Sequence, residues 1–160
     1  MRLCSCDQST NRSGVAILED GVPVFYTVID HSKERDAATR IKNMFLDLVK
    51  VIDQNNIDSL VVEAVQFQNN LKAMEMLSQL QGMCIATALL RDIPISSPMP
   101  VEWRKVLGFQ QGAGVKRPEL KAQAIKYVKE NFGLDVCEDI AEAICMGRPS
   151  TCGSNLSRWK

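Results

Sequence analysis

Four carboxylates in this chain each follow or interrupt an apolar stretch. Asp7 comes after Leu3, Cys4, Ser5 and Cys6; Glu63 comes after Leu60, Val61 and Val62; Asp139 and Glu142 sit among Ile140, Ala141, Ala143 and Ile144. Each is therefore placed at the edge of a core, in three segments that folding can bring together. Carboxylates within about 4–6 Å of one another raise each other's pKa and cannot all stay ionised without a cation. A hard divalent cation held by oxygen ligands is the usual partner. Each acid also has a plainer reading. Asp7 would close an Asx-turn in Asp7-Gln8-Ser9-Thr10, Glu63 would be a strand end reaching solvent, and Asp139 with Glu142 would complement the macrodipole at a helix N-terminus. Their three-residue spacing puts the last two on one helix face, and the small and apolar residues around them imply that the helix packs closely on a sheet.

The elements that must position these acids are read from periodicity. Residues 2–7 are short and apolar, residues 14–19 follow a polar turn, and Asp20-Gly21 is a hairpin signal into 22–30. Three antiparallel strands are expected. Ile41, Met44, Phe45, Leu48, Val51 and Ile52 recur at steps of three and four, which predicts an amphipathic helix over 36–54. Residues 57–63 return to β character. A strand after a helical crossover runs parallel to an earlier one, so Glu63 should finish at the same sheet edge as Asp7. Beyond a polar loop at 66–70, Leu71, Met74, Leu77, Leu80, Cys84, Ala88 and Leu89 predict a long helix over 71–91. Its Ala73, Gly82, Ala86 and methionines suit either an ordinary core helix or a face that a second copy approaches closely. A short strand over 94–98, a short helix over 100–107 and a glycine-containing loop over 108–117 follow. A helix over 118–132 ends at Gly133, and a last helix covers 138–146. The expected organisation is one domain over residues 1–148 and a polar tail over 149–160.

Composition narrows the class. At 160 residues and 46% hydrophobic content, the chain can bury roughly 70% of the surface its unfolded form exposes. No apolar run reaches the roughly 18–20 residues of a membrane span, and no basic stretch leads into an apolar segment at the N-terminus. A cytoplasmic protein without a membrane partner is expected. Of the six cysteines, Cys4, Cys6, Cys84 and Cys145 fall at apolar positions, and the spacing fits no zinc knuckle; all are expected as free thiols. His31, at the end of the third strand, is expected in a surface or turn role.

The formal net charge of zero argues against coating nucleic acid by bulk electrostatics. The distribution says more. Between 102 and 130, Arg104, Lys105, Lys116, Arg117, Lys121, Lys126 and Lys129 outnumber Glu102, Glu119 and Glu130. Between 131 and 142 come Asp135, Glu138, Asp139 and Glu142 with no base. A basic stretch beside an acidic cluster suits a polyanion held by one and cut at the other, which makes a Mg²⁺-dependent phosphodiester nuclease the leading reading. The lysines over 121–129 would equally be the solvated face of a helix.

These residues also carry a resemblance. Leu3-Cys4-Ser5-Cys6-Asp7 with Gly14, then Val61-Val62-Glu63-Ala64-Val65 before the helix over 71–90, then Asp139-Ile140-Ala141-Glu142-Ala143, together resemble the RuvC family of Holliday junction resolvases. The likeness spans 3–146 in order. It implies an α/β chain with a ribonuclease H-like fold, in which a mixed five-stranded sheet is flanked by helices. It further implies a homodimer joined through the helix over 71–90 and acting on branched DNA, four-way junctions above all. Asp7, Glu63, Asp139 and Glu142 would be the catalytic and metal-binding acids of a site taking two Mg²⁺ ions about 3.5–4 Å apart, with Mn²⁺ able to substitute. One ion would activate water, the other would stabilise the leaving 3′ oxygen, and Asp7 would bridge them. Lys116 and Arg117 match the family's basic loop, and Arg104, Lys105 and Lys121 would add phosphate contacts. Phe67 or Asn70 would probe unpaired bases.

The chain departs from the family at several points. Gln8-Ser9 replaces the usual Pro-Gly after the first acid, and Glu142 stands where Asp or His is common. Phe67 is displaced by one position, with Gln66 in the matching place. Such departures resemble the phage-encoded branch, whose members accept a wider set of branched DNAs. Two other functions stay open: a broader nuclease of forks, flaps, three-way junctions or RNA–DNA hybrids, and a non-enzymatic ribonuclease H-like scaffold that binds DNA. Four intact acids argue against the scaffold. An actin-like or kinase-like ATPase would need a second glycine-rich phosphate loop and a longer chain.

Overall fold

The computed structural model describes residues 1–66 and 69–151. Three strands open the chain, β1 (Arg2–Asp7), β2 (Arg12–Glu19) and β3 (Val22–Asp30), then helix α1 (Ala37–Gln54) and β4 (Ser59–Val62). Helix α2 (Leu71–Leu90), β5 (Ile95–Ser96), α3 (Pro100–Val106), α4 (Arg117–Phe132) and α5 (Glu138–Thr151) complete it. The sheet has the order β3-β2-β1-β4-β5. β1, β2 and β3 pair antiparallel, whereas β4 joins β1 in parallel and β5 joins β4 in parallel.

Local chemistry accounts for the boundaries. Asp20 (φ 50°) and Gly21 (φ 83°) give the β2–β3 turn its left-handed backbone. Asp36 caps α1 by accepting from Thr39 N at 2.8 Å, and Asn70 caps α2 by accepting from Ala73 N at 3.1 Å. α4 ends where Gly133 turns left-handed at φ 69°. β2 starts at Arg12 rather than 14 because the ladder with β3 continues out to Arg12 opposite Asp30. The expected strand over 57–63 is shorter at both ends.

Alternation along β1 assigns its side chains to two cores. Cys4 and Cys6 join Val15, Ile17, Leu60 and Val62 under α1 and α2, where Met44, Leu48, Ile52, Cys84 and Ala88 cover them. On the opposite face, Leu3 joins Ala16, Leu18 and Val61 beneath Trp103, Ala124, Val128 and the buried residues of α5. β1 is central, so Asp7 leaves the middle of the sheet. α5 runs on to Thr151, beyond the expected 146, because its small residues keep it against the strands. A Cβ on Gly147 would stand 2.9 Å from both Leu18 and Ser5. Five cysteines are described, Cys4, Cys6, Cys84, Cys137 and Cys145, and all are free. Burial pushes the Cys4 and Cys84 thiols up to about 12, which suits small hydrophobes rather than reactive groups. No helix among the described residues is long and apolar enough to cross a membrane.

Candidate active site

Three elements deliver the four acids to one cleft of about 610 Å³, lined by Asp7, Glu63, Asp139 and Glu142. Asp7 ends β1, and Glu63 follows β4 directly. Its amide reaches Cys6 O at 3.4 Å and so continues the parallel ladder by one more bond. The parallel pairing of β1 with β4 is what puts the two strand ends side by side. Asp139 and Glu142 lie in the first turns of α5, which crosses the sheet so closely that a Cβ on Gly14 would fall 1.9 Å from Asp139 O. Gly14, which pairs with Asp7 across β1 and β2, thereby lets the helix carry its acids up to the strand ends. Glu142 is buried despite its charge.

The electrostatics match the crowding. Burial, then the charges of Glu63, Glu142 and Asp139, hold the Asp7 carboxyl well above the usual range. Burial also raises Glu63, against the opposing hydrogen bond from Trp103 and the charge of Arg104. Asp139 accepts from Arg12 Nε at 2.7 Å, and Glu142 accepts from Arg104 Nη2 at 3.0 Å. Glu63 Oε1 accepts from Trp103 Nε1 at 3.1 Å. Among the described residues, no three His, Cys, Asp or Glu side chains already stand so as to grip one ion. Asp139, Glu142 and Glu63 bond instead to these two arginines and the indole. The donor set is nonetheless wholly oxygen, bears an excess of negative charge at its centre and fits a hard divalent cation.

Several of these partners were not legible beforehand. Arg12 lies two positions before Gly14 with no motif to mark it, and only the placement of α5 on β2 brings it to Asp139. Trp103 is held by a chain of edge-to-face rings, Trp103 to Phe109 at 5.9 Å, Phe109 to Tyr127 at 5.9 Å and Tyr127 to Phe132 at 6.5 Å. The Glu63 carbonyl accepts from Gln8 Nε2 at 3.0 Å and from Gln81 Nε2 at 3.3 Å. Gln8 thus fastens the β1 and β4 ends to each other.

The expected basic residues divide. Arg104, Arg117 and Lys121 line the cleft with the acids, and Lys121 also pairs with Glu138. Lys105 and Lys116 are exposed outside it. Asn70 is the α2 cap described above. Phe67 lies outside the described residues. His31 meets Asp47, with Nε2 2.8 Å from Oδ2.

The profile of the family described as "Crossover junction endodeoxyribonuclease RuvC" matches residues 6–146. The chain belongs to the RuvC family. Curated relatives include the RuvC of Bacteroides fragilis, 27% identical over 140 residues that cover 83% of this chain and 74% of the relative. The RuvC of Chlamydia caviae is 30% identical over 160 residues, covering 96% and 92%. Among solved structures, "T. thermophilus RuvC in complex with Holliday junction substrate" superposes with a TM-score of 0.75 over 96% of this chain and 98% of that one, at 14% identity. The yeast mitochondrial Holliday junction resolvase superposes with a TM-score of 0.57 over 94% and 77%, also at 14%. The fold is the ribonuclease H-like fold of these proteins. Membership of a family of crossover junction endodeoxyribonucleases makes the chain an enzyme acting on DNA and carries dependence on a divalent metal.

Proposed function

We propose that this chain resolves four-way DNA junctions by paired nicks, hydrolysing phosphodiester bonds with two Mg²⁺ ions held by Asp7, Glu63, Asp139 and Glu142. The observation that carries this reading is the convergence of those four acids, from three separate segments, on a single cleft. When bound, the ions supply Lewis-acid polarisation of the phosphate and a water of lowered pKa, and Mn²⁺ can replace them. The chain's own groups do the rest. Trp103 fixes the direction of Glu63, while Gln8 and Gln81 clamp its backbone. Arg117 and Lys121, which line the cleft with the acids, hold phosphate. Lys105 and Lys116, exposed outside the cleft, would add phosphate contacts, and Phe67 or Asn70 would probe unpaired bases.

Two nicks on opposite strands call for two sites, and the outer face of α2 suits a homodimer. In the single chain Leu71 is 69% exposed, Leu89 69% and Leu90 83%, and Met83 on the same helix is exposed too. A Cβ on Gly82 meets nothing within 4 Å, so the helix presents a low surface to a neighbour.

The test is cleavage of labelled four-way, three-way, splayed-arm and linear DNA in Mg²⁺ by the wild type and by Glu63→Gln. Paired nicks confined to four-way junctions, falling by about 10³-fold in the variant while DNA binding persists, are the expected result. Undiminished cutting by Glu63→Gln overturns the site. Equal cutting of splayed arms makes the enzyme a broader branched-DNA nuclease.

A further inference from the structure

Positive charge is shared unevenly among the four acids. Among the described residues no ion pair reaches Asp7, and Glu63 is met by the neutral indole of Trp103. Asp139 has Arg12, whose side chain is 47% exposed and also lies 3.6 Å from Asp30. Glu142 has Arg104, and this pair is shielded, with side-chain exposures of 17% and 11%. Screening leaves little of an exposed ion pair, whereas a part-buried one keeps more of its attraction.

Arg104 is also the more firmly placed cation. It follows the buried Trp103 on α3, and its guanidinium carbon lies 4.8 Å from the Trp103 ring centroid. Glu102 caps the helix by accepting from Met99 N at 2.6 Å. The Arg104 Nε is buried and has no acceptor. One edge of the guanidinium is therefore committed to Glu142 while another N–H, already out of water, is idle. An unsatisfied buried donor is costly, so a site that leaves one there gains whenever an acceptor arrives.

We propose that Arg104 is a resident counter-cation that occupies Glu142 in the metal-free protein, competes with the divalent cation for that carboxylate, and on displacement turns its guanidinium to the DNA phosphate. The proposal rests on reading the four acids as metal ligands. Arg104 holds Oε1 of Glu142, so a cation that takes both oxygens of that carboxylate displaces the guanidinium. Once displaced, the guanidinium has two adjacent N–H groups without a partner, in the fork that a phosphate accepts bidentately. Metal and phosphate then favour each other's binding, because each removes an obstacle to the other. Arg104 would offset part of the repulsion among the carboxylates while no metal is bound, at the expense of metal affinity.

Calorimetric titration of Mn²⁺ onto the full chain without DNA tests this, using wild type, Asp7→Asn, Arg104→Met and Lys121→Met. Methionine keeps an apolar stem against Trp103. The Lys121 variant removes the same charge from the same cleft, but from a side chain paired with Glu138. Arg104→Met should bind Mn²⁺ about fivefold tighter than wild type, with a clearly smaller gain for Lys121→Met. It should also bind four-way junction DNA more weakly in Ca²⁺, the opposite direction. Metal affinity unchanged or weakened in Arg104→Met, or matched by Lys121→Met, overturns the proposal; Arg104→Gln gives the same reading if the methionine variant does not fold. Absence of Mn²⁺ binding by wild type, or binding that Asp7→Asn leaves intact, overturns the four-acid site itself and the proposal with it.

Discussion

Helices α5 and α2 have similar raw material, apolar residues interspersed with Ala and Gly, and meet opposite fates. In α5 the run from Ala141 to Gly147 is buried without a break, and the helix closes on β1 and β2 with a buried glutamate at the site. In α2 only Leu80, Cys84, Thr87 and Ala88 are buried, and the outer face keeps Leu71, Leu89 and Leu90 in solvent. The glycines show the same contrast. Gly14 and Gly147 stand where a Cβ would strike backbone or core, while Gly82 faces open space. Small residues in a helix thus allow close approach without saying what approaches: for α5 it is the sheet, and for α2 the proposed occupant is a second copy of the chain.

That contrast can be broken experimentally. The largest effect is expected from Gly14→Ala, whose methyl would overlap the Asp139 carbonyl and force α5 off the sheet, costing about 3 kcal/mol and cleavage activity with it. Gly82→Ala should instead leave the monomer as stable or raise it by about 0.5–1 kcal/mol. Denaturant titration of both variants decides whether the glycines differ as described, and equal losses would erase the distinction. Next in size, Leu89→Glu should leave stability within about 0.5 kcal/mol while weakening self-association about tenfold or more. Sedimentation over a concentration series reads this, and a wild type that stays monomeric at micromolar concentration removes the dimer face.

The smallest effect concerns the α5 side alone. Asp7 has a folded pKa raised above its ordinary value of 3.8, so the folded form holds its proton more tightly than the unfolded one. The associated stability is present below the unfolded value and is lost as pH rises through the raised one. In chelator at pH 7, Asp7→Asn should therefore be more stable than wild type, with a higher Tm. The gap should close as the pH falls toward 4, and added Mg²⁺ should stabilise wild type but not the variant. A variant less stable than wild type at pH 7 would show that an ionised Asp7 is not opposed by its burial and by the neighbouring acids.

Much of the architecture was legible in the chain itself. Alternation and turn chemistry, above all Asp20-Gly21, placed β1 to β3, and the three- and four-residue steps from Ile41 to Ile52 placed α1, because these signals act over a few neighbouring residues. The order of elements placed Asp7 and Glu63 at the same sheet edge, while the pairing of β1 with β4 made their strands neighbours. The length of α5 was less legible, since Gly147 and Pro149 read locally as helix ends and only contact with Leu3, Ser5 and Leu18 keeps the helix running. Likewise Arg12, Trp103 and Gln81 bear no local mark of a role.

By itself, the sequence determined which residue types are present for metal and phosphate chemistry, the order of strands and helices, and the spacing that puts Asp139 and Glu142 on one face. Tertiary structure alone decided which cation or donor each acid meets: Arg12 for Asp139, Arg104 for Glu142, the indole of Trp103 for Glu63. Those partners lie 127, 38 and 40 residues away in the chain. A contact across such separations depends on how the helices settle on the sheet, which side-chain volume and close approach at Gly14 and Gly147 govern and local periodicity does not record.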